Sequence, residues 1–166
     1  MSITEKETLD PTGKDNVEFL ITANKGESPK PLSKIASGGE MSRVMLAMKT
    51  IIADCDSIDT FIFDEIDTGI SGRTAQKVAE KMKDISDKRQ ILCITHLPQI
   101  AAMADHNYLI RKESTETGTS TFLTEANEED VYREIARLIG GSTITDSTLN
   151  AAKEMKLMNI QKENIK

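Results

Sequence analysis

Four short runs carry residue types whose chemistry goes beyond packing. The first is Ser37-Gly38-Gly39-Glu40, where a helical pattern begins. Ser37 as N-cap with Glu40 three residues on is a capping box. That accounts for the serine and the glutamate but not for the glycines, each of which weakens a helical turn by up to ~1 kcal/mol relative to alanine. Bare backbone beside free N–H groups and a hydroxyl suits the close approach of an anion, phosphate above all. The second run is Asp64-Glu65, closing the apolar stretch Thr60-Phe61-Ile62-Phe63. Two acids at a strand end are ordinarily just solvated. At the carboxyl end of a central strand, where α/β sheets bind ligands, Asp64 could instead hold Mg²⁺ through water and Glu65 could orient and deprotonate an attacking water. The third run, Thr95-His96-Leu97-Pro98, ends another apolar stretch. A lone histidine is more often structural. In a parallel sheet this one emerges on the same edge as Asp64-Glu65 and could donate to a phosphate. The fourth, Asp67-Thr68-Gly69-Ile70-Ser71-Gly72, reads as a strand-to-helix loop with Ser71 as N-cap; its two glycines and extra acid also suit a subunit contact.

The elements that must position these runs follow from periodicity. Residues 40–54 read as a helix with Met41, Val44, Met45, Met48, Ile51 and Ile52 on one buried face. The runs 60–63 and 90–95 are continuous apolar strands of the kind covered on both faces. Between them, residues 72–86 form a helix burying Ala75, Val78, Met82 and Ile85, and Pro98 opens a short helix to Ala104. A strand is predicted over 17–22 after the turn Asp10-Pro11-Thr12-Gly13. A hairpin is predicted from 108–111 and 119–123 around Thr117-Gly118. Helices over 128–139, stopped by Gly140-Gly141, and over 146–158 complete the chain. Residues 1–7 and 159–166 are expected as tails. The fold expected is α/β, with a largely parallel sheet, flanking helices and a small β-hairpin.

Composition bounds the function. The chain has 166 residues and a net charge of −6, which disfavours a free-standing nucleic-acid binder. No apolar run is long enough to span a membrane, and the N-terminus lacks a signal-peptide core. Cys55 and Cys93 have no metal-ligand spacing; both read as structural in a reducing, cytoplasmic setting.

Taken in order, the four runs resemble the C-terminal half of an ABC-type ATPase head in its SMC-like form. Ala36-Ser37-Gly38-Gly39-Glu40 resembles the signature motif, within a helix over 37–54. Residues 60–65 resemble Walker B with its catalytic glutamate, residues 66–72 occupy the D-loop position, and His96, ending the strand 90–96, that of the switch histidine. The stretches Lys34–Arg43, Phe63–Gly72 and Thr95–Ala101 are similar to a bacterial DNA-repair branch of these proteins, and the likeness runs from about Thr12 to Leu157. Ala36 replaces the leucine usual in transporters, and Ser71 the aspartate that usually ends the D-loop. Asp67 and Ser71 are therefore both candidates for the D-loop contact, and Arg43 is open between phosphate, partner head and solvent.

The resemblance implies ATP and Mg²⁺ as cofactors. It makes Glu65 and His96 catalytic and Asp64 the metal residue; Ser37, Gly38, Gly39, Glu40, Asp67 and Ser71 become nucleotide-site residues. It also implies a bacterial, nucleoid-associated protein that hydrolyses ATP and acts on DNA at double-strand breaks. A P-loop, G-x-x-x-x-G-K-[ST], would complete such a site. Only Gly13 among the nine glycines precedes a lysine, and Asp15 then stands where the motif needs Ser or Thr. No Q-loop and no heptads are found either. The expectation is a head segment over 8–158, inactive alone, whose partners are the Walker A half of the same protein, a second head across ATP, and DNA. Two other readings are a head fragment of another SMC or ABC protein and a non-enzymatic head–head interaction module.

Overall fold

The computed structural model of the chain describes residues 1–22, 26–35, 37–52, 57–115 and 118–163. Ala36 of the signature-like run, residues 53–54 at the end of the first predicted helix, Cys55, Thr117 and the last residues of the predicted C-terminal tail lie outside them. The chain opens with strands β1 (Ser2–Asp10) and β2 (Gly13–Glu18), then β3 (Leu20–Ile21) and β4 (Lys30–Pro31). It continues through α1 (Gly38–Ile52), β5 (Thr60–Phe63), α2 (Gly72–Ser86), β6 (Gln90–Cys93) and α3 (Pro98–Met103). Strands β7 (Tyr108–Thr115) and β8 (Gly118–Glu125) and helices α4 (Glu128–Gly140) and α5 (Asp146–Glu163) follow.

The largely parallel sheet is not found. Among the described residues the strands form four two-stranded ladders, and only β5–β6 is parallel, pairing Thr60 with Gln90 through Phe63 with Cys93. Connection length explains this. The pair β5–β6 is joined through α2, which is long enough for a crossover; β1–β2 and β7–β8 are joined by two-residue connections, which permit only antiparallel pairing. The same turn at Asp10–Gly13 draws residues 1–7 into β1 instead of a tail, with Ile3 opposite Val17. The strand expected over 17–22 is split at Phe19, and α5 continues through Glu163, into the stretch expected as a tail.

Two apolar clusters form the core. Phe61, Phe63 and Ile66 pack with Leu46 of α1, with Val78, Ala79, Met82 and Ile85 of α2, and with Ile100 of α3. Ala101 and Ala102 of α3 then pack with Val131, Ile135 and Ala136 of α4 and Ala152 of α5. The short helix α3 thus presents residues to both clusters, and the α2 face is the one its spacing predicts. Coverage of β5 and β6 is one-sided: Phe61 and Phe63 are buried while Ile62 is 70 % exposed.

Helix α1 departs most from its pattern. Its predicted apolar stripe is half-buried or exposed, with Ile51 at 83 %, while Gly39 and Leu46 are its buried residues. Polar contacts explain the rotation. Ser42 and Arg43 donate hydrogen bonds to the loop after β5, and these turn the face holding Gly39, Arg43 and Leu46 inward.

Candidate active site

The site is built on the turn that follows β5. Asp64 and Glu65 leave the carboxyl end of the strand, both exposed, and the Asp64 carboxylate accepts a hydrogen bond from the Glu65 N–H at 2.9 Å. Glu65 has φ +57°, the one non-glycine residue in the left-handed region among the described residues. That conformation costs an L-residue roughly 1–2 kcal/mol and persists only where neighbours enforce it. Here Thr68 N–H closes the turn onto the Glu65 carbonyl at 3.0 Å.

The start of α1 lies against this turn. A Cβ at Gly38 would collide with the Glu65 carboxylate. A Cβ at Gly39 would sit 2.8 Å from the Glu65 carbonyl oxygen and 3.0 Å from Thr68 Cβ. The bare backbone at Gly39 is thus required first by the chain's own acid turn, whereas at Gly38 only the flexible end of Glu65 would have to move. The capping box is half-formed: Glu40 N–H reaches Ser37 Oγ at 3.5 Å, the limit of a hydrogen bond.

Asp67 points inward. It is 3 % exposed, and one carboxylate oxygen accepts from Thr95 Oγ at 2.6 Å and from His96 N–H at 2.8 Å, with His96 Nδ1 lying 3.0 Å from it. Thr95 Oγ in turn accepts the Leu97 N–H, so the segment after β6 is tied to the turn after β5. The His96 ring thus sits beside the Asp67 carboxylate on a side chain 70 % exposed, which leaves its other nitrogen open to further partners. Ser71 stands at the N-cap of α2 but makes no side-chain cap bond, and it is exposed. Of the two D-loop candidates, Asp67 is occupied within its own chain and Ser71 faces solvent.

Between these acids, burial chiefly, and then the charges of Asp67 and Asp64, push the Cys93 thiol up to about 12. Cys93 is thereby an inert neighbour of the site, in keeping with its structural reading. A magnesium ion suits Asp64: its carboxylate is exposed at the strand end. The described residues contain no group of three or more His, Cys, Asp or Glu that could hold a metal as a dedicated cage. Magnesium ordinarily takes one or two carboxylates, with water and substrate phosphate completing its shell.

The structure therefore gathers Gly38, Gly39, Asp64, Glu65, Asp67 and His96 about one turn, with Ser37 and Ser71 at its flanks. Sequence reasoning missed Ser42 and Thr95 and left Arg43 open. The signal for Ser42 and Arg43 was their spacing three and four residues beyond Gly39, on one helical face. Thr95 carried none beyond adjacency to His96.

No family model matches the chain. Among solved structures, one described as "Structural biochemistry of ATP-driven dimerization and DNA stimulated activation of SMC ATPases" is 22 % identical, with a TM-score of 0.49 over 71 % of this chain and 70 % of that one. No helix among the described residues is long and apolar enough to cross a membrane. The DNA repair protein RecN of Treponema pallidum is 48 % identical over 150 residues, 90 % of this chain and 26 % of that protein. RecN of Bacillus subtilis is 50 % identical over 143 residues, 86 % of this chain and 25 % of that protein. RecN of Haemophilus influenzae is 42 % identical over 152 residues, 92 % of this chain and 27 % of that protein. The chain spans about a quarter of the length of these curated relatives, and it is homologous to that segment of the DNA repair protein RecN.

Proposed function

We propose that this chain is the C-terminal segment of the ATPase head of a RecN-type protein that binds and hydrolyses ATP in bacterial DNA double-strand-break repair. The observation that carries this reading is the single turn at residues 64–68, which gathers a glycine-opened helix start, two exposed acids and a carboxylate-held histidine. The similarity to RecN proteins supports the biological setting.

In this reading Ser37, Gly38, Gly39 and Glu40 border the nucleotide held by a second head's Walker A. Glu65 accepts the proton of the attacking water. His96 holds its outward nitrogen toward the terminal phosphate while Asp67 fixes the ring. Ser71 makes the contact across the two heads. When bound, Mg²⁺ beside Asp64 supplies neutralising charge at the phosphates. DNA contacts belong to the rest of the protein, in keeping with the chain's net charge of −6.

Nucleotide-dependent pairing tests the reading. With a RecN segment carrying the P-loop supplied, Mg·ATP is expected to double the mass seen by light scattering, and ADP is not. A mass unchanged by Mg·ATP would contradict a shared nucleotide site.

A further inference from the structure

The acid turn is held from α1 by donors that the hydrolytic reading does not use. Arg43 Nη1 donates to the Ile66 carbonyl at 3.0 Å and to the Thr68 carbonyl at 2.9 Å. One turn of helix away, Gly39 leaves the space this guanidinium occupies: a Cβ there would lie 3.0 Å from Arg43 Nη1. Ser42 Oγ, beside it, donates to the Asp64 carbonyl at 3.0 Å. The carbonyls of residues 64, 66 and 68 are thus bound by two adjacent side chains of α1. The carbonyl between them, that of Glu65, takes Thr68 N–H and rests against Gly39. The residue so enclosed is Glu65, at φ +57°.

We infer that Arg43 is a positioning residue whose guanidinium locks the left-handed turn and thereby aims the Glu65 carboxylate. The inference rests on the reading of Glu65 as the base. It makes the first two turns of α1 and residues 64–68 one rigid body, so that a nucleotide meeting the start of α1 is registered at once by the acid turn. A guanidinium nitrogen carrying two N–H groups answers two carbonyls, and a lysine ammonium, on a stem one bond shorter, still offers donors to them; methionine fills the space and donates nothing.

The test uses Arg43→Met and Arg43→Lys with two readouts. In steady-state hydrolysis, with the P-loop segment supplied, Arg43→Met is expected to lower kcat at least about tenfold, because a small misplacement of a catalytic group is costly. The KM for ATP is expected to stay within about twofold, and Arg43→Lys to keep kcat within about threefold of the parent. In amide hydrogen exchange on the chain itself, Arg43→Met is expected to lose protection at Thr68, while α2 keeps its own and Arg43→Lys matches the parent. The inference is overturned if Arg43→Met keeps full kcat and Thr68 protection, or if Arg43→Lys fails as badly as Arg43→Met. It is equally overturned if only KM rises, since Arg43 would then be contacting nucleotide. The exchange readout needs no hydrolysis: a Glu65→Gln protein with full turnover would sink the assignment of the base, while Thr68 protection would still decide whether Arg43 locks the turn.

Discussion

Glu65→Gln is expected to lower kcat by about 10²–10⁴-fold, the usual contribution of a positioned general base, when the P-loop segment is supplied. The amide keeps the shape and hydrogen-bonding span of the carboxylate but cannot take a proton from water. Binding of Mg·ATP is expected to survive, because Asp64 and the start of α1 are untouched, so the loss falls on kcat and not on KM. The fold is expected to survive as well. Glu65 is exposed and its backbone is held through its carbonyl and by Gly39, neither of which the substitution alters. Steady-state kinetics with a urea melt alongside would check both statements. A variant that kept parental turnover would remove Glu65 from the chemistry.

The largest stability effect is expected at Asp67. Its carboxylate receives two hydrogen bonds on one oxygen, lies 3.0 Å from His96 Nδ1 and is 3 % exposed. Asp67→Ala leaves Thr95 Oγ–H and His96 N–H without their acceptor and removes the carboxylate beside the His96 ring. The histidine ring can turn to water and the hydroxyl can rotate. The backbone N–H has no such freedom, and a buried donor left unpaired costs about 1–3 kcal/mol. A total loss of roughly 2–4 kcal/mol is expected, a large share of an ordinary domain's stability. Asp67→Asn keeps one acceptor oxygen and is expected to lose about half as much, while giving up the charge that holds the ring. Urea unfolding of the chain measures this, and an Asp67→Ala loss under about 0.5 kcal/mol would show these contacts to be incidental. The two substitutions separate two functions: Glu65 can be neutralised without unfolding, and Asp67 cannot be removed without loosening the segment that carries His96.

This difference marks how far the residues could be read without coordinates. The β5–α2–β6 unit was legible because two apolar runs flank a helix whose Ala75, Val78, Met82 and Ile85 share one face. The positions of Asp64, Glu65 and His96, just beyond the ends of these strands, follow from the same unit. Asp67 stands with Ser71 as one of two candidates for the D-loop contact; its burial depends on Thr95 and His96, nearly thirty residues away, and no local pattern reports that distance. The α1 stripe was misjudged because periodicity counts apolar residues, whereas Ser42 and Arg43 turn the helix by hydrogen bonds to a loop. The parallel sheet was overestimated because a strand's own residues do not say how many neighbours it has. The N-terminal hairpin was lost because Ser2–Asp10 is rich in polar residues, and only its pairing with Gly13–Glu18 makes it a strand.

We propose that this chain carries one half of an ATP-hydrolysing site. Phosphate release from Mg·ATP, measured for the chain alone, for the P-loop segment alone and for the two combined, tests it most directly. Turnover is expected only in the combined sample, and is expected to be lost there with Glu65→Gln. Turnover by the chain alone, or none in a combined sample whose parts demonstrably associate, would contradict it.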